Sequence, residues 1–232
     1  RLTGAAPRVV DVGCGGGILT EALANQWREF APNCLSYEAA YGLSETHTMD
    51  TAMPPDAIRW GTHGKPVPGN EIRIADPATG KPRSTGESGE ILIRGPGVFR
   101  GYWNRPDATA HALRDGWLYT GDIGEFDADG YLYIRDRKKD MAIVGGYNVY
   151  PREVEEALFL HPDVIDAAVV GVPDAYRGEA LVAFVVLRDG ARADPDALAA
   201  HCGTNLARYK VPSLVRIVDT LPRTSANKTD KN

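Results

Sequence analysis

The sequence predicts a mixed α/β and α+β fold, in which a small antiparallel β-barrel or meander is followed by a small α+β domain. Three observations predict it. Short alternating runs, EIRIAD, GEILIRG and YLYIRD, recur between residues 61 and 135. Turn-rich pieces such as Gly-Lys-Pro, Pro-Gly-Asn and Gly-Glu-Ser-Gly separate them, which is the pattern of short antiparallel strands. Beyond residue 140, helical patterns alternate with long β-branched runs, VIDAAVVGVP and ALVAFVVL.

In chain order, residues 41–60 are loop-rich, with YGLSETHT ahead of a Met-Pro-Pro turn. Asp-Ala-Asp-Gly at 127–130 is a hairpin signal. The cationic run Arg135 to Lys139 reads as a linker. PREVEEAL at 151–158 starts a helix, with Pro in its first turn and acids near its N-terminus. Asp194 is the candidate cap of a second helix, and LVRIVD is a last strand. The order predicted for 140–232 is β, α, β, β, α, β. The domain reading is an anomalous segment at 1–40, one domain over 41–137 and a small domain over 138–232.

Composition is ordinary, at 43% hydrophobic and 25% charged residues. That excludes disordered and collagen-like classes. A net charge of -5 argues against a general nucleic-acid binder. Cys14, Cys34 and Cys202 match no zinc spacing and suit a reducing, cytoplasmic compartment. No signal peptide and no apolar run near membrane-span length is read, while peripheral membrane contact stays open. The chain starts without Met, in mid-pattern, and reads as a fragment of a longer protein.

The densest chemistry lies between Tyr119 and Arg152. A Thr-Gly-Asp turn offers the Asp122 carboxylate, a cationic run holds Arg137, and Gly145 and Gly146 are adjacent. A carboxylate for ribose hydroxyls, a guanidinium for phosphate or ribose oxygens and a flexible glycine pair suit a nucleotide.

Five ordered motifs then carry a resemblance. YGLSET (41–46), GEILIRGPGVFRGYWNRP (89–106), WLYTGDIG (117–124), DRKKDMAIVGGYNVYPREVE (136–155) and PRTSANK (222–228) together resemble the adenylate-forming enzymes. These include acyl-CoA synthetases, peptide-synthetase adenylation domains and luciferases. The 138–155 stretch is most similar to fatty acyl-CoA synthetases. The resemblance implies that residues before 138 are a remnant of the large AMP-binding domain and that the rest is the small mobile C-terminal domain. It implies ATP, Mg2+ and CoA: a carboxylic acid, fatty by preference, is adenylated and then transferred to CoA. Carrier-protein loading and a non-catalytic binding module remain alternatives.

Residue by residue, the resemblance makes Tyr41 the aromatic that stacks on adenine and Ser44 a hydroxyl that meets phosphate. Glu45 becomes the acid that holds Mg2+, and Asp122 the acceptor of ribose hydroxyls. Arg137 is placed near ribose and phosphate, Lys139 at the interdomain hinge and Gly146 beside the pantetheine channel. Lys228 becomes the lysine that neutralises charge at the α-phosphate. The family usually has Gly before that lysine, where this chain has Asn227. The phosphate-binding loop expected far upstream of YGLSET has no counterpart in the sequence, so the chain reads as half an active site and as inactive by itself.

A competing motif stands at 9–24. VVDVGCGGGILTEALA, with Gly13, Gly15, Gly16 and Gly17, resembles the first motif of class I S-adenosylmethionine methyltransferases. Such a domain needs a full doubly wound sheet with a ribose-binding acid after its second strand. YGLSET follows Ala24 after only 16 residues, too few for that sheet, so the run sits in a synthetase frame.

Overall fold

The structure is a computed structural model that describes residues 21–30, 32, 40–47, 49–225 and 229–231. The chain divides into two units, Arg1–Ile134 and Arg135–Asn232. The first holds α1 (Glu21–Phe30), β1 (Thr51–Ala52), β2 (Lys65–Pro66), β3 (Glu71–Ala75), β4 (Gly89–Arg94), α2 (Pro106–Ala112), β5 (Leu113–Arg114) and β6 (Trp117–Phe126). β7 (Leu132–Arg137) begins in the first unit, and its last three residues belong to the second.

The main sheet of the first unit runs β3-β4-β6-β5, with β7 also on β6, while β1 and β2 form a separate ribbon. The predicted barrel is not formed. Closure requires the first and last strands to pair, but among the described residues β3 pairs only with β4, and β5 and β7 both attach to β6. Burial gives the physical reason. Consecutive Ile91, Leu92 and Ile93 of β4 are all fully buried. A barrel interior would take only alternate residues. Here both faces of β4 are covered: Ile91 and Ile93 pack with Tyr41, Ile74 and Leu132, and Leu92 packs with Ala75 and Trp117. Arg73 and Arg94 stack over the Trp117 ring at 4.1 and 4.6 Å, so their stems and cations shelter the second face.

The second unit adds β8 (Ala142–Val144), β9 (Tyr147–Val149), α3 (Pro151–Phe159), β10 (Val164–Asp174), β11 (Gly178–Leu187), α4 (Pro195–Asn205) and β12 (Leu214–Ile217). Its sheet is ordered β10-β11-β8-β9, with β12 parallel to β11. The strand and helix order therefore has one more strand than expected. The run AIVGGYNV splits into a hairpin around Gly145-Gly146, and the linker expected at 135–139 is in part the end of β7. α3 buries Pro151, Val154, Ala157 and Leu158, the spacing of one helical face. Burying Val154 and Leu158 contributes about 1.5–3 kcal/mol each. Asp194 caps α4 as expected, accepting from the Ala197 N–H at 2.7 Å, worth about 1 kcal/mol. Cys202 lies in this core, where burial pushes its thiol up to about 11.

Candidate functional site

Four of the expected site residues lie in the first unit. Asp122 is on β6, and the Thr-Gly-Asp segment is not the turn the sequence suggests but a bulge inside the strand. Leu92 and Glu90 of β4 pair with Tyr119 and Ile123, so one residue between them on β4, Ile91, stands opposite three on β6, Thr120, Gly121 and Asp122. A bulge re-aims side chains locally. Gly121 takes φ +74°, the left-handed region that glycine enters without strain. The bulge is pinned by its own polar groups. The Thr120 hydroxyl donates to the Ile91 carbonyl at 2.8 Å, the Asp122 N–H donates to the Thr120 hydroxyl at 3.0 Å, and the Gly121 N–H donates to Oε1 of buried Glu90 at 3.2 Å.

Tyr41 comes from 81 residues away, and its hydroxyl donates to Oδ2 of Asp122 at 2.7 Å. The ring is only 8% exposed and sits in the β4 core. Burial first, and the Asp122 charge second, hold the phenol well above its ordinary value. Tyr41 therefore stays a donor across the physiological range. Its backbone is fixed as well: its carbonyl accepts the N–H groups of Asp50 and Thr51 at 2.7 and 3.1 Å, and its N–H donates to the Thr51 hydroxyl at 3.0 Å.

Ser44 and Glu45 stand on a short 3-10 helix, Ser44–Thr46. The helix is held from behind by Asp50, which accepts from the Thr46 hydroxyl and, at 2.9 Å, from the Asn70 amide. Burial raises the Asp50 carboxyl above its ordinary value, partly offset by Thr46 and the Leu43 backbone. Ser44 is exposed. The Glu45 carbonyl accepts the Phe99 N–H at 2.7 Å, and its Oε1 accepts the Tyr102 hydroxyl at 2.8 Å. Among the described residues no three His, Cys, Asp or Glu side chains gather as a metal cage. A magnesium ion takes one or two carboxylates and completes its shell with phosphate and water. Glu45, a partly exposed carboxylate that among the described residues is hydrogen-bonded by a neutral phenol, fits such an ion.

The other expected residues belong to the second unit. Arg137 ends β7, its side chain exposed and its N–H donating to Asp136 Oδ1 at 2.7 Å. Lys139 is exposed in the turn closed by the Asp140 N–H on the Arg137 carbonyl at 3.0 Å. Gly145 and Gly146 form the two-residue turn between β8 and β9, with φ +59° and +85°. Two positive φ values are those of the type I′ turn that suits a two-residue hairpin. A Cβ on Gly146 would meet nothing within 4 Å, so turn geometry alone accounts for glycine there and the space beside it is open. Lys228 lies outside the described residues.

Sequence reasoning missed Tyr102, Glu90, Asp50 and Asp136. Asp136 is buried, and its Oδ2 accepts the Arg152 N–H at 2.9 Å, placing a carboxylate on the first turn of α3. Tyr102 and Glu90 stand inside the quoted 89–106 motif, which is the one sequence signal that marks them.

Comparison with known proteins adds a family. Residues 3–103 match the AMP-binding enzyme family, and residues 153–228 match the AMP-binding enzyme C-terminal domain. The first match runs through 9–24, so the methyltransferase resemblance of that run is not supported; its residues 9–20 lie outside the described residues and 21–24 open α1. The chain is 48% identical over 193 residues to a long-chain-fatty-acid–CoA ligase of Bacillus subtilis, covering 81% of this chain and 34% of the relative. It is 43% identical over 219 residues to a feruloyl-CoA synthase of an Amycolatopsis species, covering 93% and 43%. Among solved structures, ATP-bound MatB of Rhodopseudomonas palustris is similar with a TM-score of 0.83 and 38% identity, over 93% of this chain and 43% of that one. The chain thus spans from about a third to somewhat over two-fifths of these relatives' length.

Proposed function

We propose, from the premise that the chain belongs to the adenylate-forming, AMP-binding enzyme superfamily, that it supplies part of the active site of an acyl-CoA synthetase. Its substrates are ATP, a carboxylic acid and CoA. A carboxylate oxygen attacks the α-phosphorus, the bond to the β-phosphate breaks, and pyrophosphate leaves with an acyl adenylate formed. The CoA thiolate then attacks the acyl carbon, and AMP leaves.

The observation that supports this reading most is the Tyr41–Asp122 pair on the β6 bulge. Asp122 accepts ribose hydroxyls, and Tyr41, by donating to one oxygen, sets the direction of the other while its ring meets adenine. Ser44 meets phosphate. Glu45 would hold Mg2+, which supplies charge neutralisation at the phosphates. In the second unit, Arg137 approaches ribose and phosphate, Lys139 is the hinge, and the open space beside Gly146 admits the pantetheine arm. Lys228 neutralises the α-phosphate, a contact of a kind worth roughly a hundredfold in rate.

A fatty acid is the first choice of substrate, since the Bacillus subtilis relative bears that name. CoA is preferred over a carrier protein because CoA ligases recur among the similar proteins. A cytoplasmic location is part of the proposal; among the described residues no helix is long and apolar enough to cross a membrane. The test is product analysis. The protein containing this chain, given ATP, Mg2+, CoA and a panel of fatty and aromatic acids, should yield an acyl-CoA identified by mass. Adenylate without thioester, or thioester only on an added carrier protein, would reject CoA as acceptor.

A further inference from the structure

We infer that Tyr102 is a positioning residue for the magnesium site, holding the Glu45 carboxylate by a neutral hydrogen bond so that its charge stays available to the metal. The inference rests on the proposed role of Glu45.

Several contacts aim this tyrosine. The Tyr102 N–H donates to the Thr109 hydroxyl on α2 at 2.9 Å, and the Tyr102 carbonyl accepts the Arg105 N–H at 3.2 Å. The Phe99 and Tyr102 rings meet edge-to-face at 4.8 Å. Phe99 also binds the Glu45 carbonyl through its N–H. One short segment thus grips both the backbone and the side chain of Glu45 from 54 to 57 residues away. Tyr102 is 40% exposed, so core packing does not explain this fixation.

The chemistry of the donor matters. A lysine or arginine in place of Tyr102 would neutralise Glu45 and compete with a cation. A phenol fixes one carboxylate oxygen and leaves the full negative charge. Among the described residues Tyr102 is the one side chain that hydrogen-bonds the Glu45 carboxylate, and it does so at Oε1, leaving Oε2 to a metal ion. Outer partners of this kind orient metal ligands, and losing one characteristically costs about tenfold to a hundredfold in metal affinity.

The test uses the whole protein and the variants Tyr102→Phe, Glu45→Gln and the double variant. Two readouts are taken: Mn2+ affinity in the presence of ATP without acid, by electron paramagnetic resonance, and the Mg2+ dependence of acid-dependent pyrophosphate exchange. Tyr102→Phe should weaken Mn2+ and raise the half-saturating Mg2+ by about tenfold, with the rate at saturating Mg2+ within about twofold of the parent. In the Glu45→Gln background the same change should add little, because the two residues act as one unit. Unchanged metal affinity in Tyr102→Phe beside a clear loss in Glu45→Gln would overturn the inference and spare the Glu45 assignment. Equal losses from Tyr102→Phe in both backgrounds would also overturn it, as a purely structural effect. No metal effect in Glu45→Gln would overturn the assignment on which the inference stands.

Discussion

The Tyr41 hydroxyl donates to Asp122 at 2.7 Å across 81 residues of sequence, joining the loop ahead of the Ser44–Thr46 helix to the bulge of β6. Removing the hydroxyl leaves a carboxylate short of one donor. Tyr41→Phe should therefore cost about 1–3 kcal/mol of stability, the range for losing a partner to a charged group, read as a lower urea midpoint. It should also weaken AMP binding severalfold, whereas Asp122→Asn should weaken AMP more while costing less stability. AMP affinity that falls in Tyr41→Phe but not in Asp122→Asn would separate Tyr41 from the ribose role of Asp122.

Gly121 makes the bulge possible. Its φ of +74° is strained for other residues, and a Cβ there meets nothing within 4 Å, so the cost of a side chain is conformational rather than steric. Gly121→Ala should lose about 1–2 kcal/mol, and Gly121→Asn less, since Asn tolerates this region better. Equal midpoints for both variants would mean that the bulge relaxes when substituted.

Much of this was legible in the sequence because it is local. The alternation of EIRIA, the Asp194 cap and the Pro151 helix start all depend on neighbours a few residues apart. The bulge was not legible as such, because Thr-Gly-Asp carries turn chemistry and only pairing of Leu92 with Tyr119 and Glu90 with Ile123 reveals the inserted residues. The open sheet was hidden for the same reason: GEILIR reads as an alternating run, yet Ile91, Leu92 and Ile93 are all buried, and its two buried faces depend on what covers them. Tyr102 reaches Glu45 over 57 residues and Asp136 reaches α3 over 16, contacts that no residue pattern announces. The Gly145-Gly146 hairpin escaped because its strands are three residues each, below the length at which period-two alternation can be read.

Asp50 gives a pH dependence with a definite sign. Burial raises its folded-state carboxyl above the ordinary 3.8, so the folded protein holds this proton more tightly than the unfolded chain. That contribution is complete below the unfolded value and is lost as pH rises through the folded one. Relative to Asp50→Asn, which does not titrate, the parent should lose stability as pH climbs from about 3.8 through the raised value, and the difference should then level off. Urea melts of both proteins from acid to neutral pH would show it. A difference that grew in the parent's favour with rising pH would mean that Thr46 and Asn70 outweigh burial.

Whether these residues belong to an acid-activating nucleotide site is tested most directly by ATP–pyrophosphate exchange. In the protein containing this chain, exchange of labelled pyrophosphate into ATP should appear only when a carboxylic acid is added. It should fall by about a hundredfold or more in Lys228→Ala, with thioester formation from a supplied acyl adenylate largely retained. Exchange that is absent with every fatty and aromatic acid, or that persists unchanged in Lys228→Ala and Asp122→Ala, would contradict that assignment.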